Sequence, residues 1–238
     1  MKQPKYKLFG TQNAKTRKGE SLGYTTYIMY LLPHKSNSRG KNLCADATPG
    51  CIAACLRSAG RGAFNSVEQG RSRKVEFFLS DRAAFMEQIE REVRAADKNR
   101  KGNNICFRLN GISDIPWENI KVRDDKSIME LYPYIQFYDY TKSYSRVINN
   151  TLPNYHLTFS RAETLENQLY ATELLSRGYN VAVVFAGALP ETFEGFRVID
   201  GDQHDLTFLH DKNVVVGLKA KGKARKDTTG FVVGGCAR

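Results

Sequence analysis

Short apolar runs rich in β-branched and aromatic residues recur along the chain, at Tyr24 to Leu32, Asn104 to Leu109, Tyr134 to Tyr138, Tyr155 to Phe159, Asn180 to Phe185, Phe196 to Ile199 and Val214 to Leu218. Most are apolar at consecutive rather than alternating positions, the pattern of parallel strands buried on both faces. Helical patterns lie between several of them. Phe85, Ile89, Val93 and Ala96 stand at helical spacing within Ser80 to Asp97, with Glu87/Arg91 and Glu90/Arg94 as i,i+4 pairs on the outside. After Phe159, Ser160 and Glu163 have the spacing of a capping box, and Leu165, Leu169, Thr172 and Leu175 mark one helical face. Gly178 then suits the left-handed residue that ends a helix. The repeating unit is strand, helix, parallel strand.

Six or seven such strands predict an open doubly wound sheet or a barrel of parallel strands. No glycine-rich dinucleotide fingerprint or P-loop follows any strand, which favours the barrel. The stretch from Phe185 to Phe196 is short and contains proline and glycine, too little for a full crossover helix. The expected fold is therefore α/β, a partial or irregular (β/α) barrel of mostly parallel strands. Residues 24–238 would form this single domain, preceded by a basic arm over residues 1–23.

Charge changes the picture through its location. The 238 residues hold 36 Lys plus Arg against 25 Asp plus Glu, a formal charge of +11. Residues 1–42 carry nine Lys/Arg and one acid, residues 217–238 carry six and one, and the body between them sums to −2. Basic ends fit solvated tails or an anionic partner, either a phosphate-bearing small molecule or nucleic acid. With 13 Phe, 12 Tyr and one Trp the chain can bury a core, which excludes a disordered tail protein. The longest apolar stretches, Tyr27 to Leu32 and Val181 to Leu189, fall short of the ~20 residues of a membrane span, so no membrane partner is expected. Met1 to Lys7 leads into no apolar segment, and the expected location is cytoplasmic.

In a parallel barrel, chemistry collects on the loops after the carboxyl ends of the strands. Those positions hold a cysteine loop, Asn110-Gly111-Ile112-Ser113-Asp114, then Asp139, Thr141 and Lys142, then Ser160 and Arg161, then Asp200 to Asp205, and finally Lys219, Lys221 and Lys223. Taken singly, Ser160 reads as a helix cap, Asp200 and Asp202 as turn formers, and Arg161 as the partner of a helix-surface acid. Taken together they predict a site, with Asp139, Arg161, Asp202 and His204 as catalytic candidates and Lys219, Lys221 and Lys223 as a cradle for an anionic group.

Cys44, Cys51 and Cys55 form a C-x6-C-x3-C arrangement, and Cys51 and Cys55 share one face of a helix starting after Pro49-Gly50. Three thiolates at a loop-to-helix junction can hold a metal, and three protein ligands rather than four leave a coordination position open. Zinc completed by His34 or His204 fits that count, as does an iron–sulfur cluster with one open iron. Three thiols packed as small apolar side chains is the remaining reading. Disulfides are not expected in a cytoplasmic chain with five cysteines. Cys106, inside a strand, reads as core, and Cys236 has no assigned role.

Several blocks carry a resemblance: NAKTRKGESLGY from Asn13 to Tyr24, the cysteine loop running into Ala59-Gly60-Arg61-Gly62, LNGISDIPWE from Leu109 to Glu118, YDYTK from Tyr138 to Lys142, NYHLTFSR from Asn154 to Arg161, DGDQHD from Asp200 to Asp205 and GLKAKG from Gly217 to Gly222. Over most of its length the chain resembles the gene product 88 family of bacteriophage and prophage proteins. The resemblance implies a phage or prophage setting and the host cytoplasm, and no particular chemistry.

The layout, a three-cysteine loop after the first strand of a partial parallel barrel, is also similar to that of radical S-adenosylmethionine enzymes. There three thiolates bind a 4Fe–4S cluster whose open iron takes the methionine moiety. This similarity implies Cys44, Cys51 and Cys55 as cluster ligands, Asn110, Ser113, Asp114 and Ser160 as cofactor contacts, and an electron donor as partner. The usual spacing is C-x3-C-x2-C, from which this chain departs. The expected function is a phage iron–sulfur enzyme of radical S-adenosylmethionine type acting on a small, phosphate-bearing substrate. The alternative is a nucleic-acid-binding or nucleic-acid-processing protein that uses its basic ends, with Asp114, Asp139, Asp200 and Asp202 around a divalent ion or zinc on the cysteines. A third reading is a non-catalytic factor that binds a host protein.

Overall fold

Seven parallel strands make the centre of the structure, a computed structural model that describes residues 6–11, 14–100 and 102–234. The strands are β1 (Phe9–Gly10), β2 (Tyr24–Met29), β3 (Asn104–Arg108), β4 (Lys121–Arg123), β5 (Lys126–Ser127), β6 (Gln136–Thr141), β7 (Tyr155–Ser160), β8 (Val181–Phe185), β9 (Thr192–Phe193), β10 (Phe196–Asp200), β11 (Val215–Lys219) and β12 (Val232–Val233). The helices are α1 (Ala14–Glu20), α2 (Pro49–Ala53), α3 (Asn65–Ser80), α4 (Arg82–Lys98), α5 (Ile128–Leu131), α6 (Tyr144–Ile148) and α7 (Leu165–Ser176). The main sheet runs β1-β2-β3-β6-β7-β8-β11-β10-β9, parallel from β2 to β10, with antiparallel β1 and β9 at its edges. β4 and β5 form a separate hairpin. All seven apolar runs become strands. The third extends to Thr141, because parallel pairing with β7 continues to Thr141↔Phe159.

The fold is thus mixed α/β with a large, mostly parallel sheet, and the expected barrel does not close. The outer edge of β2 is taken by β1 and that of β10 by β9, and no pairing joins β2 to β10 or β11 among the described residues. The physical reason lies in the link after β8. It holds no crossover helix but a tight hairpin, β9 to β10, whose turn residues Glu194 (φ 51) and Gly195 (φ 83) take the left-handed conformation such two-residue turns require.

Helices cover one face of the sheet. Phe107, Phe137, Phe159 and Val183 point into the main core with Phe78, Phe85, Ile89, Val93 and Leu174. The α4 stripe of Phe85, Ile89, Val93 and Ala96 is buried as its spacing predicts. The predicted face of α7 is wrong: Leu165 and Leu169 are 72% and 61% exposed, and Asn167, Ala171, Leu174 and Leu175 face inward. The Ser160/Glu163 capping box is also absent. Thr164 caps α7, accepting from the Asn167 N–H, while Ser160 stays in β7. A capping box does form between Ser127 and Glu130.

Alternate side chains face the other way. Cys106 and Tyr138 meet Leu206 and Phe208, carried there by a 3-10 turn at Thr207–Leu209 in the link between β10 and β11. Cys106 is core, as expected. The basic arm is built into the fold where it is described. β1 joins the sheet, Leu8 is fully buried, and Lys18 of α1 donates to the Asp202 carbonyl at 2.7 Å. Met1 to Lys5, Gln12, Asn13 and Cys236 lie outside the described residues. After Ser160, β7 turns away from β8, and β12 takes its place beside Val184 and Phe185. Among the described residues no helix is long and apolar enough to cross a membrane.

His156 on β7 gives the fold an acid-sensitive point. Its Nε2 is buried without a hydrogen-bond partner, and burial lowers its pKa from 6.5 to about 4. Between these values the unfolded chain binds the proton and the folded one does not, so this stabilisation is present above pH 6.5 and is lost as pH falls toward 4. Replacing His156→Gln should flatten the acid limb of stability by up to ~1.4 kcal/mol per pH unit. Urea titrations of both proteins across this range measure it; parallel slopes would show that His156 does not contribute.

Candidate functional site

Parallel strands direct all their carboxyl ends to one edge, where open α/β sheets place their ligands. A cavity of about 960 Å³ lies there. Its floor comes from Arg108 of β3, Tyr140 of β6, Ser160 of β7, Val184 of β8 and Leu218 of β11. Asp202 and Asp205 enter from the link after β10, and Cys44, Cys51 and Cys55 from the long connection between β2 and α3.

The cysteine segment is fastened by groups far away in sequence. Cys44 bridges Asp114 as a one-residue extension of the sheet, with the Asp114 N–H donating to the Leu43 carbonyl at 2.9 Å. The Cys44 sulfur accepts from the His34 N–H at 3.3 Å. Glu163 holds the next turn, accepting from the Gly50 N–H and from the Thr48 hydroxyl, each at 2.7 Å. A Cβ at Gly50 would lie 2.4 Å from Thr229 Oγ1 and 2.6 Å from the Glu163 carboxylate, so a larger residue there would push this anchor aside. α2 is only one turn long, so Cys55 falls beyond it instead of sharing its face with Cys51. Burial pushes all three thiols up, Cys44 to about 12, against smaller downward pulls from the His34 N–H on Cys44, Lys142 on Cys51, and Arg57, Arg71 and Lys142 on Cys55. In this form they are neutral at pH 7, so a metal would have to displace their protons.

The loop after β3 is a solid support. The Asn110 side chain accepts from Ser113 Oγ, the Ile115 N–H and Trp117 Nε1, and donates to the Ile115 carbonyl and to Asp139. Asp139 also accepts from the Asn110 N–H at 2.7 Å and from the Tyr155 hydroxyl at 2.9 Å. Burial raises its pKa to about 7, against Arg108, the Asn110 N–H and Tyr155. Asp114 accepts from Thr141 Oγ1 and the Lys142 N–H and pairs with Arg146, which also holds Glu118.

The lining is strongly cationic, eight Lys/Arg against Asp114, Asp202 and Asp205. Those acids are already engaged, Asp114 by Arg146, Asp202 by Lys221 at 2.6 Å and Asp205 by Arg108 at 2.7 Å. Among the described residues Arg17, Arg61, Arg71, Lys74, Lys142 and Lys219 line the cavity with no ion pair. Among the described residues the Lys142 ammonium donates only to neutral oxygens of Ser160 and Arg161, and it sits 4.9 Å from the centre of the Phe231 ring.

Of the residues singled out in the sequence, Cys44, Cys51, Cys55, Asn110, Ser113, Asp114, Ser160, Asp202, Lys219 and Lys221 meet at this cavity. Six do not line it. Asp139 supports the Asn110 loop, Arg161 packs over Phe193, His204 lies against His210, Asp200 accepts from the Asp202 N–H, Lys223 is exposed in a 3-10 turn, and His34 meets Cys44 only through its backbone N–H. Asn110 and Ser113 spend their side-chain bonds on each other and on the loop, which makes them positioning residues. Sequence reasoning missed Arg71 and Lys74 on α3, Arg108, Arg146 and the anchoring role of Glu163. Arg108 alone had a signal, a lone cation in an otherwise apolar strand run.

No curated protein and no solved structure matches the chain. One family model, described as gene product 88, covers residues 6–235, nearly its whole length. The sheet, the fastened cysteine loop and the cationic cavity are thus features of a chain that belongs to the gene product 88 family.

Proposed function

We propose that the cavity is the active site of a phage enzyme in which Cys44, Cys51 and Cys55 hold an iron–sulfur cluster and the lining cations receive an anionic, phosphate-bearing small molecule. One observation carries the reading: three thiols on the connection after the first parallel strand open onto the same cavity as six cations that form no ion pair among the described residues. The donor set is all sulfur, which suits iron–sulfur clusters and zinc. No group of three or more His, Cys, Asp or Glu side chains among the described residues is drawn together around a single-ion position. The thiolates of a cluster each bind a different iron and so surround a larger centre than one ion. Neither His34 nor His204, the candidates for a fourth zinc ligand, lines the cavity.

Bound there with S-adenosylmethionine at the open iron, the cluster would supply one-electron chemistry. The chain's own residues have plainer tasks. Lys142, close enough to Cys51 and Cys55 to pull on both thiols, offsets the charge that thiolates bring. Glu163 and Asp114 fix the segments that carry Cys51 and Cys44.

Anaerobic reconstitution should load about four iron and four sulfide per chain, and substituting all three cysteines by alanine should abolish loading. Before loading, iodoacetamide should label Cys44 slowly at neutral pH and faster as pH rises, since only the thiolate reacts. Iron-free, colourless protein after reconstitution would sink the cluster reading. Zinc at one ion per chain, lost in the same triple variant, would replace it.

A further inference from the structure

Arg71 is a buried cation that forms no ion pair with the described residues. It is only 7% exposed, stands on α3 one turn before Lys74, and both residues line the cavity. Among the described residues no carboxylate pairs with either of them. Glu68, one turn earlier, is bonded to Arg57 instead. Arg71 Nη1 donates to the carbonyls of Arg57 at 3.1 Å and Gly62 at 3.4 Å, and the guanidinium lies 5.3 Å from the centre of the Tyr30 ring. Its other edge is free: Nε is buried without a partner, and Nη2 makes no hydrogen bond to the described residues.

The backbone is shaped around this group. A Cβ at Gly62 would lie 2.7 Å from the Arg57 carbonyl and 3.1 Å from Arg71 Nη2. Lys74 donates to the Leu8 carbonyl at 2.6 Å, and burial, opposed by Glu92, lowers its pKa to about 8. Glu68 and Glu92 act on the two charges only from outside ion-pair distance, so burial remains the larger effect on both, and an anion in the cavity would relieve it. A guanidinium fixed through Nη1 by carbonyls and on its face by an aromatic ring keeps Nη2, which is neither buried nor bonded to the described residues, for a charge-assisted hydrogen bond to a phosphate oxygen. The ammonium one helical turn away suits the second charge of a phosphate monoester.

We infer that Arg71 and Lys74 form a phosphate-binding pole that takes the terminal phosphate of a small phosphate monoester. This rests on the reading of the cavity as a substrate site and names the class of substrate. The volume suits one molecule of nucleotide size.

The test is calorimetric titration of the full chain with inorganic phosphate and with pyrophosphate, before and after cluster reconstitution. Wild-type protein should bind both. Arg71→Gln and Lys74→Gln should each weaken binding by about tenfold or more, Arg71→Lys should fall between, and Lys126→Gln on the exposed β4–β5 hairpin should stay within about twofold. Unchanged affinity in Arg71→Gln and Lys74→Gln, or a wild type that binds neither anion, overturns the inference. If Arg71→Gln does not fold, Lys74→Gln and Arg71→Lys carry the same comparison. Iron-free protein that still loses phosphate in these variants keeps the phosphate pole and rejects the cluster; cluster-loaded protein blind to both anions does the reverse. Salt-sensitive binding of an oligonucleotide without terminal phosphate, lost in the same variants, would replace the small molecule by a nucleic-acid strand.

Discussion

Replacing Arg146→Met should destabilise the protein by about 3–5 kcal/mol, the range for removing one member of a buried ionic cluster. Arg146 is 9% exposed and pairs with Asp114 and Glu118, themselves 12% and 15% exposed. It also donates to Thr141 Oγ1 at 3.1 Å and to the Tyr155 hydroxyl at 3.0 Å. Burial alone would lower its pKa, and Tyr155, Glu118 and Asp114 together hold it above the ordinary value. Methionine fills much of the volume but leaves two carboxylates in a dry place. Denaturant titration reads the loss, and adding Asp114→Asn with Glu118→Gln should recover part of it, because neutral amides are cheaper to bury. A midpoint equal to wild type in the single variant would show that the cluster adds no net stability. The site should suffer as well. Asp114 bridges Cys44 and accepts from the Lys142 N–H, so a loosened Asp114 frees both walls of the cavity and should lower iron loading in the folded fraction.

Asp205→Ala should cost a similar amount, about 3–5 kcal/mol, by stranding Arg108. The Arg108 guanidinium stacks over Tyr140 at 4.8 Å, and Asp205 is its only acid partner among the described residues, with Tyr138 donating to the same carboxylate oxygen at 3.4 Å. Burial works against the charge on Arg108, and Asp205 together with Tyr140, Tyr138 and Tyr30 more than offsets that effect. The control is the double variant Arg108→Met with Asp205→Leu, which removes both charges and should lie within about 1–2 kcal/mol of wild type. A double variant as unstable as the single one would mean that the pair is worth more than the apolar contacts replacing it.

Much of this architecture can be read from the chain. Runs such as Asn180 to Phe185 and Val214 to Leu218 are too apolar for anything but buried parallel strands, and the loops after them meet at one edge whether or not a barrel closes. That is why Cys44, Asp114, Ser160, Asp202 and Lys219 could be grouped in advance. Residue parity was harder. Tyr138 and Tyr140 face the Leu206 side of the sheet, so Asp139 between them must face the helices, and a one-position difference decides between wall and foundation. α3 was hidden because its inward side is carried partly by Arg71 rather than by a full apolar stripe, so hydrophobic periodicity is weak there. The predicted α7 face fails at Leu165 and Leu169, which point outward, while Leu175 is buried as expected and Asn167 turns inward to accept from the Ala162 N–H. Closure is the least local property of all, and the Glu194-Gly195 hairpin that prevents it spans only a few residues.

β12 contributes only Val232 and Val233 to the sheet, 48 positions along the chain from its partners Val184 and Phe185. The adjoining Phe231 forms the cavity wall beside Lys142. Two residue pairs are as few as β7 makes with β8, so this wall rests as much on the packing of Phe231 and Val232 against Ala54, Ala162, Ala220 and Ala224 as on its backbone pairing. Loss of that packing would open the cavity on this side while the five-residue registers of β6 with β7 and of β8 with β11 kept the floor in place.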